Sequence, residues 1–135
     1  MNAVPKALVV SSNDEVRKEL ADMLRHYGLQ PLLSSSVVQG LCTLSSNSIC
    51  IAFCEDRLID GEYLHFVYDA KRLAREVPVV VVSQAFDVSE QMKAMGSGVF
   101  DYVGWPPHRS EIEWALLNAL HERNRLHNLL AEQAC

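Results

Sequence analysis

The chain has no CxxC pair, no glycine-rich phosphate loop, no run of basic residues and no aliphatic run longer than Val79–Val82. Each absence removes a class of function. Its four cysteines are Cys42, Cys50, Cys54 and Cys135. Cys50 and Cys54 fall on one predicted strand, about 13 Å apart by strand rise, too far to bridge. They read as free thiols rather than a redox or metal centre. The histidines, His26, His65, His108, His121 and His127, form no metal-spaced pair with acids or cysteines and read as surface residues. No metal site is expected. A formal net charge of -5 without clustered Lys or Arg argues against nucleic acid as a partner. No segment is long and apolar enough to suggest a membrane span. The opening MNAVPKALVVSS places only four apolar residues in a row before the serines, short of a signal peptide, so a cytoplasmic location is expected. There is no G-x-S-x-G and no nucleophile with its base, so no enzyme is expected.

What remains is an ordinary globular composition, 49% hydrophobic and 21% charged over 135 residues. That length fits one domain, able to bury about two thirds of its unfolded surface without disulfide or metal. Apolar runs alternate with helical spacing. Ala7–Val10 is a short continuous run, the pattern of a strand covered on both faces. Ser12 to Glu15 reads as a capping box. Val16, Leu20, Met23, Leu24 and Tyr27 follow on one helical face, and Gly28 suits the left-handed residue that ends it. Leu32-Leu33 is a weak second strand. Ser34-Ser35-Ser36 can cap a second helix carrying Val38, Leu41, Cys42 and Leu44, with Gly40 lowering its propensity. Ile49–Cys54, Val77–Val82 and Val99–Val103 are further strands. Leu64, Val67 and Tyr68 mark the third helix. Val88, Gln91, Met92 and Met95 mark the fourth. From Ser110 a long helix runs toward the C-terminus. Five strands alternating with five helices imply a doubly wound parallel sheet with helices on both faces.

Open sheets of this kind keep their chemistry at the C-terminal strand ends. Here those ends read Ser11-Ser12, Glu55, Ser83 and Trp105. The segments ALVVSSNDEVRKEL, CEDRLIDG, VPVVVVSQA and AMGSGVFDYVGWPP, in that order, resemble the receiver domain of bacterial two-component response regulators, from about Ala7 to Leu120. The resemblance implies a flavodoxin-like or CheY-like fold with strand order 2-1-3-4-5. It divides the chain into a receiver-like domain at 1–121 and a helical extension at 122–135.

In that family an acidic pair after strand one binds magnesium, an Asp after strand three accepts a phosphoryl group, a Thr or Ser ends strand four, and a Lys-Pro follows strand five. Magnesium needs carboxylate oxygens, and the cation and hydroxyl balance charge on the phosphoryl oxygens. Carried over by position, the acidic pair becomes Ser11 and Ser12, the acceptor Glu55 and the Lys Trp105. Ser83 keeps its type, and Tyr102 keeps the aromatic position that reports activation. These departures imply neither magnesium as a cofactor nor ordinary Asp phosphorylation. Asp14, Asp56 and Asp60 are the substitute acids that could restore it. Glu55 has two readings: an imitation of the acylphosphate, or a drifted, solvated residue. Trp105 either fills the emptied pocket or sits at the surface. Resemblance alone supports a cis Trp105-Pro106 bond.

The last helix carries Ile112, Ala115, Leu116 and Ala119 on one face, with Trp114, Leu117 and His121 opposite. Leu126, Leu129 and Leu130 continue at helical spacing along an extension of about 22 Å. Trp114, Leu117, His121, Leu126 and Leu130 are therefore the expected contact surface, most simply for a homodimer. The expected function is a degenerate receiver in two-component or phosphorelay signalling that works by protein–protein contact. Its partner would be a histidine kinase, an output protein or a second copy. A working phosphoacceptor, or a small-ligand sensor in the vacated pocket, are the alternatives.

Overall fold

The computed structural model describes residues 4–134, and their side chains except those at 123, 126, 127 and 129–134. Leu126 and Leu130 of the expected contact surface, with Leu129 and His127, thus lie outside the described side chains, and Cys135 lies outside the described residues. The elements are β1 (Lys6–Val10), α1 (Asp14–His26), β2 (Gln30–Ser34), α2 (Val37–Ser46), β3 (Ile49–Glu55), β4 (Arg57–Leu58), β5 (Gly61–Glu62), α3 (Tyr63–Leu73), β6 (Val79–Ser83), α4 (Val88–Gly96), β7 (Asp101–Gly104) and α5 (Arg109–Ala134). Five parallel strands form the sheet in the order β2-β1-β3-β6-β7. β4 and β5 are a separate antiparallel pair that the sequence pattern did not announce. Counted along the sheet strands alone, the order is the expected 2-1-3-4-5.

Period-two alternation sends successive side chains of each strand to opposite faces. Leu8, Val10, Cys54, Val79 and Val81 pack with Phe66, Val67 and Ala70 of α3. Ala7, Val9, Phe53, Val80 and Val82 pack with Leu20 and Leu24 of α1 and Ile112, Ala115 and Leu116 of α5. Burial on both faces is why β3 and β6 read as unbroken apolar runs.

Several expectations need correction. The N-cap of α1 is Asn13, whose Oδ1 accepts from the amides of Glu15 at 2.9 Å and Val16 at 3.1 Å. Ser12 is drawn elsewhere, so it forms no capping box with Glu15. In α2 the inward residues are Val37, Gly40 and Leu44, whereas Val38 and Cys42 are exposed. A Cβ on Gly40 would stand 2.8 Å from Val10 Cγ2 and 3.2 Å from Phe66 Cε1. Gly40 is therefore a close-approach residue between helix and sheet. In α3, Tyr63, Phe66, Val67 and Ala70 face inward, Leu64 is half-buried and Tyr68 is exposed. In α4 only Ala94 is buried, and Val88, Met92 and Met95 face outward.

Three donors at the start of α2 are satisfied from two directions. Ser36 Oγ accepts from the Gln39 amide at 3.1 Å. Asp60, from the turn between β4 and β5, accepts from the Val37 amide at 2.8 Å and the Val38 amide at 3.1 Å. The Val37 hydrogen bond foremost holds the Asp60 carboxyl below its ordinary range. Asp60 is thus committed to a helix end.

Candidate functional site

The strand ends are brought level by backbone bonds. The Ser11 amide donates to Ser34 O at 3.0 Å, the Asp56 amide to Val82 O at 2.9 Å, and the Trp105 amide to Ser83 O at 2.8 Å. Parallel register places Val10 beside Cys54, Glu55 beside Val82 and Ser83 beside Gly104. Ser11, Glu55 and Ser83, which the sequence pointed to, are all buried here.

Glu55 is 6% exposed, and both its carboxylate oxygens are occupied. Ser11 Oγ donates to Oε1 at 2.6 Å, and Gln84 Nε2 donates to Oε2 at 2.8 Å. Ser11 Oγ in turn accepts from the Asn13 amide at 3.1 Å. Glu55 is therefore not the solvated residue of the second reading: it is enclosed and doubly hydrogen-bonded. Gln84 escaped sequence reasoning because nothing in its type or spacing marks it; only its place directly after Ser83 could have suggested it.

Asp56 turns to a different partner. Ser83 Oγ donates to its Oδ2 at 2.9 Å and accepts from the Ala85 amide at 3.1 Å. Adjacent residues on an extended chain point apart, and Glu55 and Asp56 accordingly engage Ser11 and Ser83 separately. Neither carboxylate has a salt bridge among the described residues. Arg17, on the first turn of α1, is spent elsewhere: its Nη1 donates to Ser11 O at 2.6 Å and its Nη2 pairs with Asp14. Burial, with Glu55 and Asp56 nearby, pushes the Cys54 thiol far above its ordinary range, so it stays neutral.

The other predicted residues lie around this pair. Ser12 Oγ donates to Ser35 O at 2.7 Å and accepts from the Ile59 amide at 2.9 Å, away from Glu55. Trp105 packs half-buried against the α1–α5 side of the core, and its bond to Pro106 is cis. Tyr102 is buried, with its ring 5.5 Å from that of Phe86. Trp114 and Leu117 are 54% and 73% exposed on α5, and His121 is exposed as well. Buried Tyr63 has a hydroxyl without a hydrogen-bond partner among the described residues. Burial above all, and then the carboxylate of Glu90, raises its pKa. Among the described residues no three His, Cys, Asp or Glu side chains converge as metal ligands, and no helix is long and apolar enough to cross a membrane.

No protein-family model matches the chain. Among curated proteins, it is similar to the KDP operon transcriptional regulatory protein KdpE of Escherichia coli (strain K12), with 24% identity over 117 residues. The match takes in 87% of this chain and 52% of that protein, so the chain spans about half the length of the curated relative it matches. Among solved structures, a response regulator receiver domain protein from Clostridium thermocellum superposes with a TM-score of 0.84 at 21% identity, over 91% of this chain and 99% of that one. The signal receiver domain of an HD domain-containing protein from Pseudomonas fluorescens Pf-5 gives 0.85 at 17% identity, over 95% of each chain. These likenesses show the fold: it is that of response regulator receiver domains.

Proposed function

We propose that this chain is a receiver-type module of two-component signalling that acts in the cytoplasm by protein–protein contact and does not accept a phosphoryl group on Glu55. The observation that carries this reading is the state of Glu55. Its two oxygens are taken by the neutral donors Ser11 and Gln84, and among the described residues it makes no ion pair with a cation of the kind that balances a transferred phosphoryl group. The residues at the strand ends do not fit magnesium, which asks for several carboxylate or water oxygens in octahedral array. Ser11 spends its proton on Glu55, Ser12 is engaged by Ser35 and Ile59, and Asp56 is engaged by Ser83. The receiver fold and the similarity to KdpE support the signalling class. Enclosure of Glu55 in hydrogen bonds favours a fixed structural part for it, with a single charge where a phosphoryl group carries about two.

The contact surface in this reading is the outward face of α5. Trp114, Leu117 and His121 pair two copies there, and the same helix continues to Ala134. A kinase or an output protein is the alternative occupant.

One observation favours a second reading. Asp56 stands at a strand end with a hydroxyl on its carboxylate, and it is the substitute acid not spent elsewhere: Asp14 pairs with Arg17, and Asp60 caps α2. Incubation with acetyl phosphate and magnesium, followed by intact-mass measurement under mildly acidic conditions, separates the two. The expected result is an unmodified chain. A stoichiometric adduct that disappears in Asp56→Asn would replace the first reading with the second.

A further inference from the structure

The end of the sheet opposite Glu55 carries a cavity of about 350 Å³, set between the close of α1, the chain just before β1 and the middle of α5. Topology puts it there. Pro5 precedes β1 and Leu29 precedes β2, so both fall at the N-terminal edge of the sheet. Gly28, with φ of 82°, turns the chain between Tyr27 and Leu29. Leu29 then joins the α1–α5 side of the core. On α5, Glu113, Leu117 and Leu120 recur at spacings of four and three, the pattern of one helical stripe. Pro5, Leu29, Leu116, Leu117 and Leu120 give the cavity an apolar lining. Leu29 and Leu116 are buried, Leu120 is half-buried, and Leu117 and Glu113 are exposed at the rim.

Two polar side chains complete the lining, and they are bonded to each other. Tyr27 Oη donates to Glu113 Oε1 at 2.8 Å, which ties the end of α1 to α5. Burial foremost, and then the Glu113 carboxylate, raises the Tyr27 pKa, so the hydroxyl keeps its proton at neutral pH. Glu113 makes no ion pair among the described residues, and its Oε2 accepts no hydrogen bond among them. Arg109 lines a neighbouring cavity with Asp22 and His26, and Tyr27 borders both cavities. The apolar cavity therefore presents one negative charge and no positive one.

An apolar lining with a few placed polar groups, at this volume, is the make-up of a small-molecule site. The charge selects the ligand. An anion meets only Glu113, and a neutral apolar molecule leaves Oε2 to water, whereas a cation on an apolar chain satisfies both parts of the lining. We propose that this cavity binds a small primary alkylammonium ion. Its chain covers Leu29, Leu116 and Leu120, and its ammonium donates to Glu113 Oε2 beside the Tyr27 hydroxyl. Such an amine stays charged at neutral pH, as a lysine side chain does.

The probe is hexylamine, titrated into the full chain and followed by amide nitrogen–proton spectra, with hexanol and hexanoate as controls. Hexylamine should bind with a Kd on the order of a millimolar and move the amides of Leu29, Leu116 and Leu120. Hexanol should bind more weakly and hexanoate not at all. Butylamine, two methylenes shorter, should bind about tenfold more weakly than hexylamine. Glu113→Gln keeps an oxygen for Tyr27 and removes the charge; it should weaken hexylamine about fivefold and leave it no tighter than hexanol. Glu15→Gln, the same change at the far end of α1, should leave the titration unaltered. Equal affinity for amine, alcohol and carboxylate overturns the proposal, as does stillness of those three amides at tens of millimolar amine. Tighter binding of α-acetyl-lysine amide than of hexylamine would make a partner's lysine the occupant and overturn it too. So would movement of the same amides on concentrating the chain alone, with hexylamine shut out, because a second copy would then fill the cavity.

Discussion

Glu55 and Asp56 are neighbours in sequence, and one backbone step separates their chemistry. Glu55 is sealed between Ser11 and Gln84, while Asp56 holds the hydroxyl of Ser83. The strand-end residues were legible because a parallel sheet always delivers those positions to one edge. Their partners were not, because side-chain pairing in loops leaves no periodic trace: Gln84 is an unremarked residue until the loop after β6 turns it toward Glu55. Tyr63 is a second case. Its ring is needed in the core, 3% exposed, but its buried hydroxyl finds no acceptor among the described residues. An unsatisfied buried hydroxyl costs about 1–3 kcal/mol. Tyr63→Phe should therefore leave stability intact or raise it by about 1 kcal/mol, measured by urea unfolding. A loss of comparable size would mean that the hydroxyl has a partner in solution.

At the scale of elements, helix existence was readable and helix orientation was less so. The apolar residues of α4 predicted a helix correctly but not the side it buries, since its stripe of Val88, Met92 and Met95 faces out and small Ala94 faces in. In α2, Gly40 counted against a helix on propensity, yet it is what lets the helix lie against Val10 and Phe66. Gly40→Ala sets two effects against each other. Propensity gains about 1 kcal/mol, and overpacking against a β-branched core residue costs about 1–3 kcal/mol. A net loss on the order of 1 kcal/mol is expected in thermal unfolding, and a stabilised variant would show that α2 shifts freely.

Asp60 links the β4–β5 turn to the same helix. Its folded pKa lies below its unfolded value, chiefly through the Val37 amide. Its contribution is thus complete above the ordinary aspartate range and fades as pH falls through the depressed folded value. Asp60→Asn should remove about 1 kcal/mol or less at neutral pH, discounted for exposure, and the difference from wild type should close in acid. A difference independent of pH would assign the effect to shape rather than charge.

For the whole molecule, the order of apolar runs and turns carried the architecture, and the five-stranded order followed. The β4–β5 pair was missed because two-residue strands are too short to show alternation. Assembly is the property tested at this scale. With Leu117 73% exposed on the outward side of α5, sedimentation equilibrium should find a dimer that Leu117→Ala weakens about tenfold, one exposed leucine being worth roughly 1.5–3 kcal/mol when buried. A wild type that stays monomeric at high micromolar concentration removes self-pairing and leaves α5 to a different protein.

One hydroxyl in this fold joins three loops. Ser12, after β1, gives its proton to Ser35 before α2 and receives the amide of Ile59 from the turn between β4 and β5. Ile59 itself is 84% exposed, so its amide has little cover apart from this bond. The three loops consequently share one opening event. In deuterated buffer the Ile59 amide should exchange at the rate at which the loops part, slower than its exposure suggests. With Ser12→Ala that single proton should exchange at close to the rate of an open chain, while the amides of β3 and β6 keep their clocks.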